Sequence, residues 1–175
     1  MSGEEILDKA RALEKNLLNF FWRQGVQYGE CEDLLQETYI RLWKYRDEYV
    51  PTAKFSTFAF MIAHQVRVDA LRRKIRRERR EEVWQKEQPA DAAPQAAMMR
   101  EDVRWALSRL SEPLRQVVEL GIFQNLPYSE VSEILSIPVG TVKSRMSNAL
   151  KRLKEEFEND ERFGRDVGRA GAGLR

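Results

Sequence analysis

Residues 81–100, EEVWQKEQPADAAPQAAMMR, constrain the fold more than any other part of the chain. Pro89 and Pro94 cannot continue a helix, because each lacks an amide hydrogen and pushes the residue before it out of helical geometry. The alanines around them carry no apolar period, and acidic groups gather here. The segment reads as a linker with helical ends, so it divides the chain into two small units. The boundaries expected are 1–80 for the first unit, 81–100 for the linker and 101–157 for the second unit. A charged, glycine-rich tail, 158–175, is expected to be mobile.

Both units carry helical periodicity and neither carries convincing strand alternation, so the fold class is all-α. Ile6, Ala10, Leu13, Leu17 and Phe21 recur at three- and four-residue spacing, predicting one amphipathic helix that Gly25 and Gly29 interrupt. A second helix is predicted over CEDLLQETYIRLWKYRDEY (31–49), with Leu35, Tyr39, Leu42 and Trp43 facing inward; Pro51 ends it. A long third helix runs over 54–80, with Ser56 or Thr57 as its N-cap. In the second unit, Val103, Leu107 and Leu110 are periodic, and Ser111 is placed to cap EPLRQVVELGIFQN. The short YSEVSEIL, a turn at Ser136-Ile137-Pro138 and the basic GTVKSRMSNALKRLK complete it.

A formal net charge of only +2 conceals segregation. Residues 64–80 carry eight basic and two acidic groups, and residues 136–154 carry five basic and no acidic ones. The intervening 81–102 holds six acids against two bases. Two basic islands are either two polyanion-facing surfaces or two solvated helix faces, and charge alone does not choose between them.

The pattern around 136–154 narrows the choice. On a helical wheel Val142, Met146, Ala149, Leu150 and Leu153 share one side, which would pack on the preceding short helix. Ser144, Asn148 and Lys151 lie opposite, flanked by Thr141 and Ser147, while Lys143, Arg145 and Arg152 sit at the edges. Short polar and amide groups can approach base edges, and cations at a rim meet phosphates. Short helix, three-residue turn and basic helix together form a helix-turn-helix pattern.

Several function classes lack material. Cys31 and His64 are the only residues of their kinds, so a cysteine metal cluster, an internal disulfide and histidine-based catalysis are not expected. No carboxylate spacing suggests a metal, no glycine-rich loop suggests a bound nucleotide, and no cofactor is expected. Apolar runs fall far short of the ~20 residues that span a bilayer, and no secretory leader is evident, so a cytoplasmic protein without membrane insertion is expected.

Two segments resemble a known family. EDLLQETYIRLWKYRDEY…KFSTFAFMIAHQVRVDALRR (32–73) resembles region 2 of bacterial sigma-70 factors, and 106–157, containing GTVKSRM, resembles region 4. Their order, with only a linker between, is similar to the extracytoplasmic-function (ECF) group. The resemblance implies a dissociable, non-catalytic specificity subunit that directs core RNA polymerase to promoters. It would be monomeric when free and associated with the nucleoid when active. Implied partners are the clamp helices of the largest polymerase subunit, the flap of the second-largest subunit, promoter DNA and, optionally, an anti-sigma factor.

The resemblance also implies roles for individual residues. Asp33, Gln36, Glu37 and Arg41 would dock on the clamp helices. Tyr49, Phe55, Phe58 and Gln65 would capture an unstacked −10 base, and Arg67, Arg72, Arg73 and Lys74 would hold its backbone. Thr141, Lys143, Ser144, Arg145, Ser147, Asn148, Lys151 and Arg152 would contact the −35 element. Two departures leave the −10 base preference open: Phe58 stands where many ECF members have Trp, and Gln65 where they often carry Asn. His64, at a position often basic in the family, is expected on the helix surface.

The two elements lie roughly 85 Å apart at 3.4 Å per base step. A flexible linker of 20 residues spans about 25 Å on average and about 70 Å when fully stretched. Polymerase, by holding both units, would supply the cost of separating them. An operator-binding regulator with an N-terminal sensor is the alternative, distinguished by whether core polymerase is bound; a nuclease is the third and weakest reading.

Overall fold

The computed structural model describes residues 3–49, 54–80 and 98–160, and they are helical apart from short connections. The order is α1 (Gly3–Ala12), α2 (Glu14–Arg23), α3 (Tyr28–Lys44), α4 (Phe55–Arg80), α5 (Met98–Ser108), α6 (Glu112–Val118), α7 (Tyr128–Leu135) and α8 (Val139–Asn159). A single 3-10 turn follows α3 at Arg46–Glu48, and a π turn, Glu119–Phe123, prolongs α6. The expected linker and tail fall largely on residues 81–97 and 161–175, outside the described residues. α5 begins at Met98, three residues inside the expected linker, and α8 runs two residues past position 157.

The first module packs α1, α2 and α4 around α3. Ile6, Leu17, Phe20, Phe21, Leu42, Phe60 and Val66 are sealed from solvent, and Phe20 meets Phe21 and Phe60 edge to face at 5.4 and 5.6 Å. Each such side chain contributes about 1.5–3 kcal/mol through burial. The predicted single first helix is two: Leu13, at φ −97° and ψ 0°, breaks it while its amide still bonds Ala10 O. Leu17 N returns to Leu13 O, so both halves keep their apolar faces on the same core.

α4 starts at Phe55, ahead of Ser56 and Thr57, so neither caps it. Phe58, Ala59, Phe60, Ile62, Ala63 and Val66 bury its first half, whereas residues 72–79 are exposed on every side. The six cations of 72–79 cannot be desolvated without partners, so this basic half projects beyond the bundle.

In the second module α6, α7 and α8 enclose Val117, Val118, Leu120, Val131, Ile134, Val142, Met146 and Ala149. Ser111 occupies the N-cap position with extended backbone, though its hydroxyl makes no cap bond. Ser136 closes α7 in the left-handed region at φ 52°, with Ile137 N on Ser132 O and Ser132 Oγ donating to Ile137 O at 2.5 Å. This closure aims α8 across α7.

The two modules touch. α4 packs on α7, and α2 packs on α5.

Candidate nucleic-acid interface

α8 begins after Pro138, whose carbonyl accepts from Thr141 N and Val142 N. Its inner side is narrower than the wheel predicts. Val142, Met146 and Ala149 are buried and Leu153 is half-buried, but Leu150 is 49% exposed. Leu150 lies at the margin of an apolar arc already filled by the two short helices beneath it. Lys143, Ser144, Ser147, Asn148, Lys151 and Arg152 are exposed, while Thr141 and Arg145 are half-buried. Ser144 Oγ donates to Thr141 O at 3.1 Å, which orients the first turn. Arg152 is held by Glu156 at 2.7 Å. An open groove of about 440 Å³ runs beside this face, between Asn148, Lys151, Arg152 and Glu155 on one wall and Arg109, Ser111 and Leu114 on the other. Arg109 and Ser111 were not among the residues expected here, because their place opposite α8 depends on how α5 and α6 meet. A polar face with cations at its rim fits the edge and backbone of a duplex groove.

In the first module three aromatic rings assemble where the chain passes from the 3-10 turn into α4. Tyr49 lies 5.9 Å from Phe55 and 5.3 Å from Phe58, ring centre to ring centre. Phe58 forms the buried floor at 8% exposure, while Tyr49 and Phe55 are half-buried. Further along α4, Gln65, Arg72, Arg73 and Lys74 are exposed, and Arg72 has Asp69 only at 4.0 Å. This outer surface offers cations to a polyanion in solvent.

Arg67 does not join it. Two helical residues from Gln65, it points about 200° away, and it is 7% exposed. Its Nη1 donates to Glu112 Oε1 of the second module at 2.7 Å, and its Nη2 to Gln24 O at 3.3 Å. A sequence wheel places Arg67 off the Gln65 face but cannot supply its distant carboxylate. His64 is likewise not a surface residue: it is half-buried beside Arg67, and burial first, then the Arg67 charge, lowers its imidazole to about 4.

On α3, Asp33 and Gln36 are exposed. Glu37 accepts from Arg41 Nε at 2.8 Å, and Arg41 Nη1 donates to Asp69 Oδ2 at 2.7 Å. The bond to Asp69 raises the Arg41 guanidinium and depresses the Asp69 carboxyl. Arg41 thus braces α3 to α4. The exposed stripe passes instead through Asp33, Gln36, Ile40 (62% exposed) and Trp43 (45%). Trp43, expected inward, lies over Gly3 so closely that a Cβ there would collide with its ring, and Arg46 covers it at 5.1 Å. Ile40 was missed because an aliphatic residue in a helix is normally assigned to the core.

Comparison with known proteins decides the family. A family model described as "Sigma-70 region 2" matches residues 10–77, and one described as "Sigma-70, region 4" matches residues 100–153. The ECF RNA polymerase sigma factor RpoE of Cereibacter sphaeroides is 30% identical over 141 residues, covering 79% of this chain and 78% of that protein. The chain is an ECF sigma factor of the sigma-70 family. The sigma factor is also similar to SigK of Mycobacterium ulcerans, 31% identical over 134 residues that cover 72% of this chain and 71% of that one.

Two solved structures share the sigma factor's fold. One is the sigma factor RpoE in complex with the anti-sigma factor NepR from Bartonella quintana, with a TM-score of 0.73 and 24% identity. It covers 90% of this chain and 96% of that chain. The other is CnrH in complex with the cytosolic domain of CnrY, with a TM-score of 0.71, 17% identity and 91% coverage of each chain. Promoter-directed initiation with RNA polymerase is the sigma factor's function at the family level. Among the described residues no helix is long and apolar enough to cross a membrane.

Proposed function

We propose that this sigma factor reads two promoter elements and promotes melting at one of them. The observation that carries this reading is the division of α8, with Val142, Met146 and Ala149 buried and Ser144, Ser147, Asn148 and Lys151 exposed. α8 enters the −35 major groove, Thr141, Ser144, Ser147, Asn148 and Lys151 face the bases, and Lys143, Arg145 and Arg152 meet phosphates. Near −10, Tyr49 and Phe55 stack an extruded base above Phe58 while Gln65 addresses its edge. Arg72, Arg73 and Lys74 hold the displaced strand.

The Asp33–Gln36 face of α3, with Glu37 at its margin, docks on the polymerase clamp helices, and the second module meets the flap. Polymerase supplies the bond chemistry; the sigma factor supplies position and no catalytic residue. Its solved structural neighbours were captured with the anti-sigma factor NepR and with the cytosolic domain of CnrY. That supports a protein partner which sequesters this chain in the cytoplasm.

Permanganate footprinting tests the melting claim. With core polymerase and the sigma factor, thymines near −10 become reactive, and Tyr49→Ala removes that reactivity while −35 protection persists. Reactivity unchanged by Tyr49→Ala would remove the aromatic cluster from the melting site.

A further inference from the structure

Arg67 turns away from the outer surface of α4, but a continuous line of residues stays on it. At about 100° per residue, Phe58, Gln65, Arg72, Arg76 and Arg79 fall within about 60° of one another around the helix. The line starts at the Tyr49–Phe55–Phe58 rings and ends in residues 72–79, which are exposed. Asp69, the carboxylate at its margin, is already held by Arg41 at 2.7 Å. Glu78, the one acid within 72–79, lies about 130° from the middle of the line. Among the described residues, neither Arg76 nor Arg79 has an acidic partner.

This run is unfavourable as a free helix. Within 72–79, five like-charged pairs stand three or four residues apart, against one opposite pair, Lys74–Glu78. Like charges at that spacing destabilise a helix, and residues 72–79 bury no face that would offset them. A row of phosphates relieves the repulsion. What the line lacks points to the kind of polyanion. A single strand needs flat side chains on which its bases stack, and residues 61–79 contain no Phe, Tyr or Trp. Cations without a stacking surface suit a duplex, which keeps its bases inside and presents its backbone. Chain order supplies the direction: α4 carries the rings at its first turn, and from its basic end the chain continues to the module proposed to read −35. At 1.5 Å per residue, Arg76 and Arg79 stand about 16 and 21 Å along α4 from Gln65, or about five and six base steps.

We infer that Arg76 and Arg79 form a further DNA-binding site, which grips phosphates of the paired DNA about five to six base pairs upstream of the captured base, whatever its sequence. The site presupposes that Tyr49, Phe58 and Gln65 handle the −10 base, and it extends that reading to duplex which neither reading head touches. Phosphate contacts fix register, so these two hold the last paired segment along α4 and keep the boundary of melted DNA at the rings.

The test uses polymerase loaded with this chain and fork DNA. Each fork carries one −10 element selected with this chain and kept single-stranded, joined to an upstream duplex of about three or about ten base pairs that stops short of −35. Lengthening the duplex should tighten binding severalfold for wild type and much less for Arg76→Gln/Arg79→Gln. On the long fork that variant should lower the slope of log affinity against log salt by about two, and on the short fork it should leave the slope unchanged. Arg76→Lys/Arg79→Lys keeps the charge and should restore both effects, whereas Arg77→Gln, off the line, should change neither. Equal losses on both forks would put the two arginines on unpaired DNA, and no loss on either would leave them as solvated surface. Each of these results overturns the site, as does a Lys variant that fails to restore binding or an Arg77→Gln variant that matches the double one. If polymerase with the wild-type chain binds neither fork, the −10 reading itself has failed and takes the site with it.

Discussion

Arg67 and Glu112, 45 residues apart in sequence, meet at 2.7 Å with the arginine side chain only 8% exposed. The guanidinium also reaches Gln24 O, so one side chain ties α4 to the end of α2 and the start of α6. Glu112 is 39% exposed, but with Arg67 shielded the pair couples more strongly than a fully open one. A double-mutant cycle of Arg67→Ala and Glu112→Ala is expected to give a coupling energy of about 1–3 kcal/mol in urea unfolding. The same cycle on Lys9 and Glu5, whose side chains are 46% and 52% exposed, is expected to give about 0.5 kcal/mol or less. Equal couplings would mean that the contact between the modules contributes nothing special to stability.

Stability should depend on pH through buried Glu119 and half-buried His64, which act in opposite directions. Burial raises Glu119 from 4.5 to about 7 against the opposing pull of Arg23. A raised carboxyl favours folding fully below its unfolded value, and the benefit is lost as pH rises from about 4.5 through 7. His64, lowered from 6.5 to about 4, contributes fully above 6.5 and loses its contribution as pH falls through 4. Over about pH 4.5–6.5 the two slopes oppose each other, so Glu119→Gln should leave stability rising with pH through His64, and His64→Gln should leave it falling with pH through Glu119. Unfolding midpoints measured from pH 4 to 8 check both slopes.

On α3, docking and bracing separate by residue. Ile40→Glu is expected to weaken core-polymerase binding about tenfold or more while changing folding stability by no more than about 0.5 kcal/mol. Arg41→Ala should instead lower stability by about 1–2 kcal/mol, because it leaves Asp69 and Glu37 without their shared donor. Fluorescence binding and urea unfolding on the same two proteins measure the split.

At the reading helix, Lys151→Ala should weaken binding to a −35 duplex and reduce the slope of log affinity against log salt by about one. Lys151 is exposed and lines the groove beside α8. A slope identical to wild type would mean that Lys151 meets no phosphate.

Much of this architecture was legible as helical period. Val142, Met146 and Ala149 were assigned inward and Lys151 outward from spacing alone, and the structure agrees. Periodicity reports which face is apolar, not where it ends or what covers it. Leu150 is therefore exposed at the edge of its arc, and Trp43 lies out over Gly3. The break at Leu13 carries no glycine or proline to announce it. The contact between the modules was illegible for a deeper reason. Thr57 and Glu130 are 73 residues apart, and each alone looks like an ordinary helix residue. Nothing local specifies a pairing between two such residues; it follows from how two modules dock.

The central claim is that this chain selects promoters for polymerase, and transcription from a promoter library by core enzyme with and without it is the direct test. Sequenced transcript starts should appear only when the chain is present, each preceded by a shared pair of elements near −35 and −10, and Lys151→Ala should thin those starts. The same starts from core enzyme alone, or new starts sharing no upstream sequence, would contradict it.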